Sequence, residues 1–423
     1  MTERLKELAP ARRNGKPFGI TSVCSAHPLV LRAALRRAAR DGGEVLIEAT
    51  CNQVNHLGGY TGMTPQAFVQ LVGNIASEEG LNTSQIIFGG DHLGPNPWRK
   101  EHATAAMPKA EAMVAAYVKA GFTKLHLDAS MGCAGEPAAL DDELIAARAA
   151  RLAKVAEETA RETGGALPLY ILGTEVPVPG GADHVLDEVE PTSAKAARST
   201  IAIHRDVFIR EGLEDAFSRT IAFVVQPGVE FGSENVIPYR PEKVHELTAL
   251  LDQEPQFVFE AHSTDYQTAG ALSSLVRDGF PILKVGPELT FALREALYGL
   301  DLIASELSKD YGHRSLAVAM EKIMLNDPAD WLGHYHGNED ALRLQRHYSY
   351  SDRIRYYWGK AEAQAAVNRL EETLRGRSIP ETLLRQFLPW LEEREGRAIS
   401  MAEIVIDAVD AVLRKYSAAC RQN

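Results

Sequence analysis

The sequence predicts a (β/α)8 barrel followed by a helical C-terminal region. Eight short apolar segments rich in β-branched residues follow one another up to residue 290. Each segment ends in polar, glycine or proline residues, and helical patterns separate the segments. Strands that alternate with helices form a parallel sheet, and eight regular units match a closed barrel in number and length. We therefore expect a closed barrel rather than an open sheet.

The predicted strands are short and evenly spread along the chain. Helical stretches separate them, for example at 28–40, 64–80 and 109–121, where apolar residues recur at every third or fourth position. In chain order the predicted strand segments are FGITSVCSAH (18–27), VLIEATCNQ (45–53), IIFGGDHLGP (86–95), KLHLDAS (124–130), YILGTEVPVPGG (170–181), IAFVVQPGVE (221–230), FVFEAHSTDY (257–266) and FPILKVGPELT (280–290).

Beyond Ser308 the strand signal stops and the sequence becomes helical, with breaks near 326–328 and 376–380. We therefore divide the chain into a barrel, residues 1–309, and a helical annex, residues 310–423, that packs on the barrel. The predicted helices of the annex cover 315–325, 360–376, 381–395 and 402–417.

Composition narrows the class of protein. The 423 residues carry a formal net charge of -12, which argues against binding nucleic acid or an anionic membrane by bulk electrostatics. The sequence contains no apolar run of membrane-spanning length and no apolar leader at its start. Its four cysteines are far apart and form no CxxC pair, as is typical of a reducing compartment. We expect a cytoplasmic protein with no nucleic-acid and no membrane partner.

Ionisable and amide side chains are concentrated where the predicted strands end. Any one of them could simply hold a loop by a hydrogen bond. Together they would repel one another and lose hydration unless a ligand or metal collected them, so the carboxyl rim of the barrel is the predicted site. The strand-end residues are His27, Glu48, Asn52, Asp91, His92, His126, Asp128, Glu175, Gln226, Glu230, Glu260, His262, Asp265 and Lys284.

Three of these residues are histidines. His92, His126 and His262, together with glutamates of the rim, could form a divalent-metal site with nitrogen and oxygen ligands. The alternative is a hydrogen-bonded polar rim without a metal. No pair has the i, i+4 spacing of a helical zinc motif, so the prediction depends on the barrel bringing distant strands together.

Binding of a phosphate group is the next expectation. Barrels often bind phosphate with the loops after the seventh and eighth strands, which here offer Ser263, Thr264, Lys284 and Gly286. A further anion contact could come from SYSDRIRYYW (349–358), where Arg353 and Arg355 stand beside aromatic residues, although this segment could equally be an aromatic packing seam.

The glycine-rich loop CNQVNHLGGYTGM (51–63) follows the second predicted strand. It matches neither the Walker pattern nor GxGxxG, so it is not expected to hold a nucleotide. We interpret it as a substrate loop in which Asn52 and Gln53 bind sugar hydroxyls, with a plain structural turn as the alternative.

Long stretches of the chain resemble the GatZ/KbaZ family, the Z-type subunits of bacterial D-tagatose-1,6-bisphosphate aldolase. The resemblance covers the barrel and much of the annex, and it implies a barrel of class II aldolase type that acts on ketohexose phosphates of galactitol, tagatose or amino-sugar metabolism. The stretches that carry it include IEATCNQVNHLGGYTGMTP, GGDHLGPNPW, KLHLDASMGCAG, GTEVPVPGG, FEAHSTDYQT, LKVGPELTFALREA and YSDRIRYYW.

The resemblance implies two functions. Some relatives resemble a D-tagatose-6-phosphate 4-epimerase, which forms fructose 6-phosphate. In another description the Z subunit is a non-catalytic partner that supports a separate, zinc-dependent catalytic aldolase subunit. A kinase activity is disfavoured because the sequence has no phosphate-transfer loop. We expect a homo-oligomeric epimerase and keep the accessory subunit as the alternative.

Comparison with zinc-dependent aldolases assigns roles to individual residues. Asp91 matches the acid/base and His92 the metal ligand of their Asp-His pair, and His262 matches a later ligand. Gln226 stands where another histidine would be expected and is counted with the substrate-binding residues. Glu260 or Glu175 is the expected third ligand, and Glu175 is also counted as catalytic, with Asp128 as a reserve base. The expected metal is zinc, with manganese or magnesium as alternatives.

The expected mechanism is cleavage and reformation of the C3–C4 bond. The hydrogen on C4 of a ketose is not activated by the C2 carbonyl, so simple deprotonation is difficult. A metal would stabilise the enediolate, a base would take the C4 hydroxyl proton, and the retained aldehyde would rotate before the bond reforms.

Overall fold

The computed structural model describes residues 2–173, 188–391 and 400–421, and in these residues the eight predicted strand segments form one closed parallel barrel. The predicted fold class is confirmed. Around the barrel the strands follow the order β1-β10-β9-β6-β5-β4-β3-β2, and β7 and β8 form a separate antiparallel hairpin. The strands are β1 (Ile20–Cys24), β2 (Val45–Thr50), β3 (Ile86–Leu93), β4 (Lys124–Leu127), β5 (Leu169–Gly173), β6 (Thr220–Val224), β7 (Glu230–Phe231), β8 (Val236–Ile237), β9 (Val258–Ala261) and β10 (Ile282–Val285).

Helices surround the barrel and form the C-terminal region. Several begin at the residues that the sequence favours for capping: Thr64, Asp141 and Thr268 each accept a hydrogen bond from the backbone of the first turn. The described α-helices are α1 (Glu3–Lys6), α2 (Leu8–Arg13), α3 (Pro28–Asp41), α4 (Pro65–Glu78), α5 (Ala103–Lys119), α6 (Asp142–Thr163), α7 (Ala194–Arg210), α8 (Glu214–Ser218), α9 (His245–Leu250), α10 (Ala269–Arg277), α11 (Pro287–Leu307), α12 (Ser315–Asn326), α13 (Glu339–Tyr348), α14 (Ala361–Leu374), α15 (Glu381–Phe387) and α16 (Met401–Cys420).

The barrel interior has two chemically different layers. Near the amino ends of the strands it is apolar, and Leu5 and Leu8 of the short N-terminal helices belong to the same buried cluster as Ile20, Leu46 and Ile282. Toward the carboxyl ends the interior holds charged and polar side chains with no more than a trace of exposure: Glu48, Lys124, His126 and Glu260. The apolar layer stabilises the barrel, and the charged layer marks the end where chemistry is expected.

The last helix returns to the barrel wall. Helix α16 packs against α3, α10 and α11 and touches β1. The carbonyl of Cys420 accepts a hydrogen bond from the amide of Gly19 at 3.0 Å, and the hydroxyl of Tyr416 donates to the carbonyl of Thr264 at 2.7 Å. These contacts make α16 one of the helices that surround the barrel. The division of the chain between residues 309 and 310 stays a prediction.

The remaining annex packs over the carboxyl end of the barrel. Asp352, fully buried and with a left-handed φ of 45°, accepts hydrogen bonds from Thr290 at 2.7 Å and Arg294 at 3.1 Å, both in α11. This buried contact fixes the segment after α13 to the barrel. Among the described residues, no helix combines the length and apolarity that crossing a membrane requires.

Candidate active site

A cavity of about 630 Å³ opens at the carboxyl ends of the barrel strands. Barrel and annex both contribute to its wall, so the annex partly covers the mouth. Among the lining residues are Asp91, His92, His262, Ser263 and Lys284 from the barrel, Asn52, Gln53 and Tyr60 from the loop after β2, and Asp330, Arg355 and Lys360 from the annex.

A bulge at the end of β3 directs two adjacent side chains to this site. Gly90 of β3 pairs with Leu125 of β4, and the next pair is Leu93 with Leu127. Strand β3 therefore has one more residue than β4 between these two pairs. His92 within this step has a left-handed φ of 49°. Neighbours in a regular strand face opposite sides, whereas a bulge can re-aim a side chain. Asp91 and His92 therefore both line the cavity.

The glycines around the Asp-His pair make room for it. A Cβ on Gly89 would lie 2.7 Å from the Cγ of Glu48, and a Cβ on Gly94 would lie 1.7 Å from the carbonyl oxygen of Asp128. Larger residues at either position would displace groups that contact the site. This requirement for close approach explains why the motif GGDHLG is rich in glycine.

Three imidazoles meet at this point and form the histidine cluster, His92, His126 and His262. The ring centroids are 4.9 Å apart for His92 with either partner and 5.2 Å apart for His126 and His262. Ligand atoms of these three rings and of Asp91 all lie within 4.8 Å of one another, and all four residues are buried. Three imidazole nitrogens and one carboxylate are a donor set that could hold a divalent cation.

Carboxylates and a carbonyl orient the three rings. Asp128 lies 2.9 Å from Nδ1 of His92, and Glu260 lies 2.9 Å from Nε2 of His262. His126 contacts Asp91 through Nδ1 at 3.0 Å and the carbonyl of Gly173 through Nε2 at 3.3 Å. Such partners fix ring orientation around metal sites. Burial lowers the pKa of His126, which keeps this ring neutral and able to act as a ligand.

Beneath the cluster lies a buried ion ring of two lysines and two glutamates. The Nζ of Lys124 is 2.5 Å from Glu48 and 2.6 Å from Glu260, and the Nζ of Lys284 is 2.5 Å from Glu48 and 3.7 Å from Glu260. Lys284 also reaches Asp91 at 2.6 Å. Burial opposes every one of these charges, but the opposite charges around them raise the pKa of Lys124 and Lys284 and lower that of Glu260.

The two aspartates beside His92 both have lowered pKa values. Burial raises the pKa of Asp91, but the opposing effect of His92 and Lys284 is larger in sum and holds it well below its usual range. Burial also raises the pKa of Asp128, but its hydrogen bonds to His92 and Ser130 and the charges of the neighbouring histidines together outweigh burial and lower it. Four carboxylates and two ammonium groups thus lie around the three imidazoles; the carboxylates are Glu48, Asp91, Asp128 and Glu260, and the ammonium groups are Lys124 and Lys284.

The structure brings together two of the predicted metal ligands and adds His126 to them. His92 and His262 lie in the histidine cluster, but Glu260 belongs to the ion ring and contacts the cluster only through His262. His126, weighed from the sequence as one of three histidines, has the place that we expected Glu260 to take. Glu175, the other expected ligand and catalytic residue, lies outside the described residues.

The residues predicted to bind substrate fall into two groups. Asn52, Gln53, Ser263, Lys284 and Gly286 line the cavity. The side-chain oxygen of Gln53 accepts from the amide of Thr50 at 3.0 Å, so it also holds its own loop. The amide of Gly286 donates to Asp265 at 2.9 Å, and Lys284 is bound by carboxylates, so neither group is offered freely to a phosphate in this conformation.

The other three predicted contacts are placed in the surrounding framework. Thr264 is fully buried and donates to the carbonyl of Lys284 at 2.6 Å. The side-chain oxygen of Gln226 accepts from the amides of Gly228 and Val229 at 2.8 and 2.9 Å. The guanidinium of Arg353 donates to the carbonyl of Asp330, and the neighbouring arginine, Arg355, is the one in the cavity wall.

Lys124 is the functional residue that the sequence interpretation missed. Lys124, His126 and Asp128 occupy alternate positions in KLHLDAS. The strand periodicity therefore places all three on the inner face. The spacing could have identified it. Its partners Glu48 and Glu260 come from other strands, and no local pattern indicates that pairing.

Comparison with known proteins identifies a family and two similar proteins. The family model described as D-tagatose-1,6-bisphosphate aldolase subunit GatZ/KbaZ-like matches residues 5–421. The chain is 66% identical over 419 residues, 99% of both chains, to a protein of Agrobacterium fabrum named D-tagatose 6-phosphate 4-epimerase. A solved structure from Sinorhizobium meliloti, titled a probable tagatose 6 phosphate kinase, has 55% identity and a TM-score of 0.87 over 95% of this chain and 100% of its own.

Proposed function

Because this chain belongs to the GatZ/KbaZ-like family of D-tagatose-1,6-bisphosphate aldolase subunits, we propose that it is a D-tagatose 6-phosphate 4-epimerase. The observation that carries the proposal is the histidine cluster with Asp91 at the mouth of the barrel. The relative that shares 66% of its residues bears the epimerase name, and a site with an acid/base beside possible metal ligands suits that reaction.

The proposal includes a divalent cation, with zinc preferred over manganese and magnesium. The three imidazoles suit zinc and leave Asp91 for proton transfer, whereas magnesium favours oxygen ligands. Such an ion would add positive charge where four carboxylates lie near only two ammonium groups. When bound, a divalent cation supplies Lewis-acid stabilisation of negative charge beside the substrate carbonyl.

Asp91 is the proposed acid/base. As a carboxylate it removes the proton of the C4 hydroxyl while the C3–C4 bond breaks, which leaves an aldehyde with the phosphate and a three-carbon enediolate. The aldehyde then turns its other face to the enediolate, the bond reforms, and Asp91 returns the proton to the C4 oxygen. Lys284, 2.6 Å from Asp91, keeps that carboxylate ionised and oriented.

The covered mouth supports this route. Both fragments must stay bound while the aldehyde turns, because release would give cleavage instead of epimerisation. Residues 327–364 of the annex contribute to the cavity wall together with the barrel, so the fragments are held in a partly closed chamber.

The test uses the purified chain alone. After removal of metals by chelation, D-tagatose 6-phosphate is added with zinc, manganese or magnesium, and fructose 6-phosphate is followed by a coupled assay. We expect no turnover by the metal-free protein and recovery with zinc. As the control for the kinase named in the Sinorhizobium meliloti title, ATP and magnesium are added to the protein with D-tagatose 6-phosphate, and formation of ADP is followed.

Two results would overturn the epimerase. The first is no turnover with any metal, followed by increased bisphosphate cleavage when a catalytic class II aldolase chain is added, which would establish the accessory role. The second is turnover that depends on ATP. A cytoplasmic location, a homo-oligomer and association with an aldolase chain stay predictions, and light scattering of the purified protein tests the second of them.

A further inference from the structure

The annex places an arginine in the wall of the catalytic cavity. Arg355 belongs to a short 3₁₀ helix, Arg353–Tyr357, that follows the buried contact of Asp352. Its guanidinium donates to the carbonyls of Ser351 and Asp352, the latter at 3.1 Å, and to the hydroxyl of Tyr356 at 2.8 Å. It also lies over the Tyr356 ring, 4.4 Å from the centroid. These contacts fix the guanidinium in place.

Two of the carboxylates near Arg355 are engaged elsewhere, and a third, Asp330, lines the same cavity without an ion pair to Arg355. Asp352 is bound by Arg294 at 3.1 Å and by Thr290, and Asp327 pairs with Lys360. Within the described parts of the chain, Arg355 makes no ion pair closer than 4.0 Å with a carboxylate. Arg355 is a partly buried guanidinium in the cavity wall with no bonded carboxylate, so this position is best explained by an anion that the cavity receives.

A second guanidinium strengthens the positive potential. Arg353 lies 5.3 Å from the centroid of the same Tyr356 ring and, among the described residues, likewise has a backbone carbonyl rather than a carboxylate as its side-chain partner. Guanidinium groups bind phosphate through two parallel hydrogen bonds. Two such charges around one tyrosine suit a dianion better than a neutral sugar.

We propose that Arg355 binds the 6-phosphate of the substrate and thereby makes the enzyme specific for phosphorylated ketoses. The inference rests on the proposed function for the identity of the sugar. The phosphate then lies toward the annex, while C3 and C4 lie at Asp91 and the histidine cluster in the same cavity. The annex is the source of phosphate specificity, in place of the loops after β9 and β10.

The experiment compares Arg355→Gln and Arg355→Lys with a matched control. Arg369 also donates to two backbone carbonyls, and it also lies over a tyrosine ring, that of Tyr311 at 5.5 Å, but it is not part of the cavity wall. We expect Arg355→Gln to raise KM for D-tagatose 6-phosphate about 10- to 100-fold with little change in kcat. The KM of Arg355→Lys should lie between those of the wild type and Arg355→Gln. The KM of Arg369→Gln should equal that of the wild type.

Two further readouts separate phosphate binding from catalysis. The preference for D-tagatose 6-phosphate over unphosphorylated D-tagatose, measured as the ratio of their kcat/KM values, should fall in Arg355→Gln and not in Arg369→Gln. Inorganic phosphate should raise the Tm of the metal-loaded wild type and of Arg369→Gln, and this shift should be lost in Arg355→Gln. The phosphate shift does not require epimerase activity, so it tests Arg355 even if the proposed reaction is wrong.

The proposal is overturned if Arg355→Gln keeps the phosphate-dependent Tm shift, or if the substitution changes KM equally for the phosphorylated and the free sugar. Should Arg355→Gln not fold, Arg355→Lys decides the question by titration with inorganic phosphate. That variant keeps the charge but loses the planar fork, so we expect weaker phosphate binding, and unchanged affinity contradicts the role.

Discussion

At the residue scale, the site depends on a single irregular step in β3. His92 has a positive φ, an uncommon conformation for a residue with a side chain, and it lies in the bulge that directs Asp91 and His92 to the same cavity. The two residues then have different partners. His92 is oriented by Asp128 at 2.9 Å, and Asp91 is oriented by Lys284 at 2.6 Å. This difference predicts different outcomes when each carboxylate is removed.

Asp91→Asn should lower kcat by about 100-fold or more, because general acid–base catalysis typically contributes that factor and an amide cannot accept the proton. The three histidines remain, so the metal content should stay close to that of the wild type. Epimerase kinetics and metal analysis of the same preparation measure both effects. Full activity of Asp91→Asn with an unchanged metal content would exclude Asp91 as the base.

Asp128→Asn is the matched comparison. The variant keeps Asp91 but weakens the group that orients His92, so metal affinity should fall about 10- to 100-fold while activity recovers at saturating metal. If saturating metal does not restore kcat, Asp128 takes part in proton transfer itself, and the roles of the two carboxylates must be exchanged.

At the element scale, helix α3 connects the cavity to the stability of the barrel. The helix begins after His27, whose Nδ1 accepts a hydrogen bond from the amide of Leu29 at 3.3 Å, and Pro28 occupies the first turn. His27 also lines the cavity. A ring nitrogen can accept this bond only while it is unprotonated. Burial lowers the pKa of His27 to about 4.

His27 should therefore make the stability of the protein depend on pH. The unfolded chain protonates this ring near pH 6.5, whereas the folded chain resists protonation to about pH 4. The neutral His27 ring therefore contributes to the free energy of unfolding above pH 6.5. This contribution, on the order of 1–3 kcal/mol, is lost as the pH falls from 6.5 toward 4. Urea unfolding at a series of pH values measures it.

The matched variant is His27→Asn, which retains a side-chain oxygen for the helix cap but cannot titrate. Its stability should change less than that of the wild type between pH 6.5 and 4. Parallel curves for the two proteins across this range would show that His27 does not titrate on unfolding.

At the scale of the whole molecule, the two ends of the chain complete the barrel. Helices α1 and α2 cover its apolar end, and α16 packs on the wall beside β1. Arg37 in α3 donates to Asp410 in α16 at 2.8 Å. Fully buried residues of α16, such as Ile404, Val405 and Val409, lie in the same core cluster as the barrel helices. The barrel thus has one of its wall helices at the far end of the sequence.

A chain that ends at residue 399 should not fold stably. Each large apolar side chain lost from the core contributes roughly 1.5–3 kcal/mol, and together those of α16 are comparable to the typical net stability of roughly 5–15 kcal/mol. We expect loss of cooperative thermal unfolding and of epimerase activity. A synthetic peptide of residues 400–421 should restore both, and a scrambled peptide should not. Native unfolding and activity of the truncated chain alone would contradict this role of α16.

The sequence by itself determined the barrel, because strand and helix periodicity arise between neighbouring residues and eight such units close in only a few ways. It also placed Asp91, His92 and His262 at one rim, since the carboxyl ends of parallel strands meet at the same edge. These predictions need no knowledge of how distant side chains pair.

Only the tertiary structure decided how the rim is used. Glu260 pairs with Lys124 from another strand, which leaves the third position of the cluster to His126. The backbone after Asp352 places Arg355 in the cavity wall while Arg353 reaches the carbonyl of Asp330. α16 packs beside β1 although the two are far apart in the sequence, and there the amide of Gly19 donates to the carbonyl of Cys420. These pairings depend on packing and charge compensation between residues far apart in the chain, and local sequence patterns do not encode them.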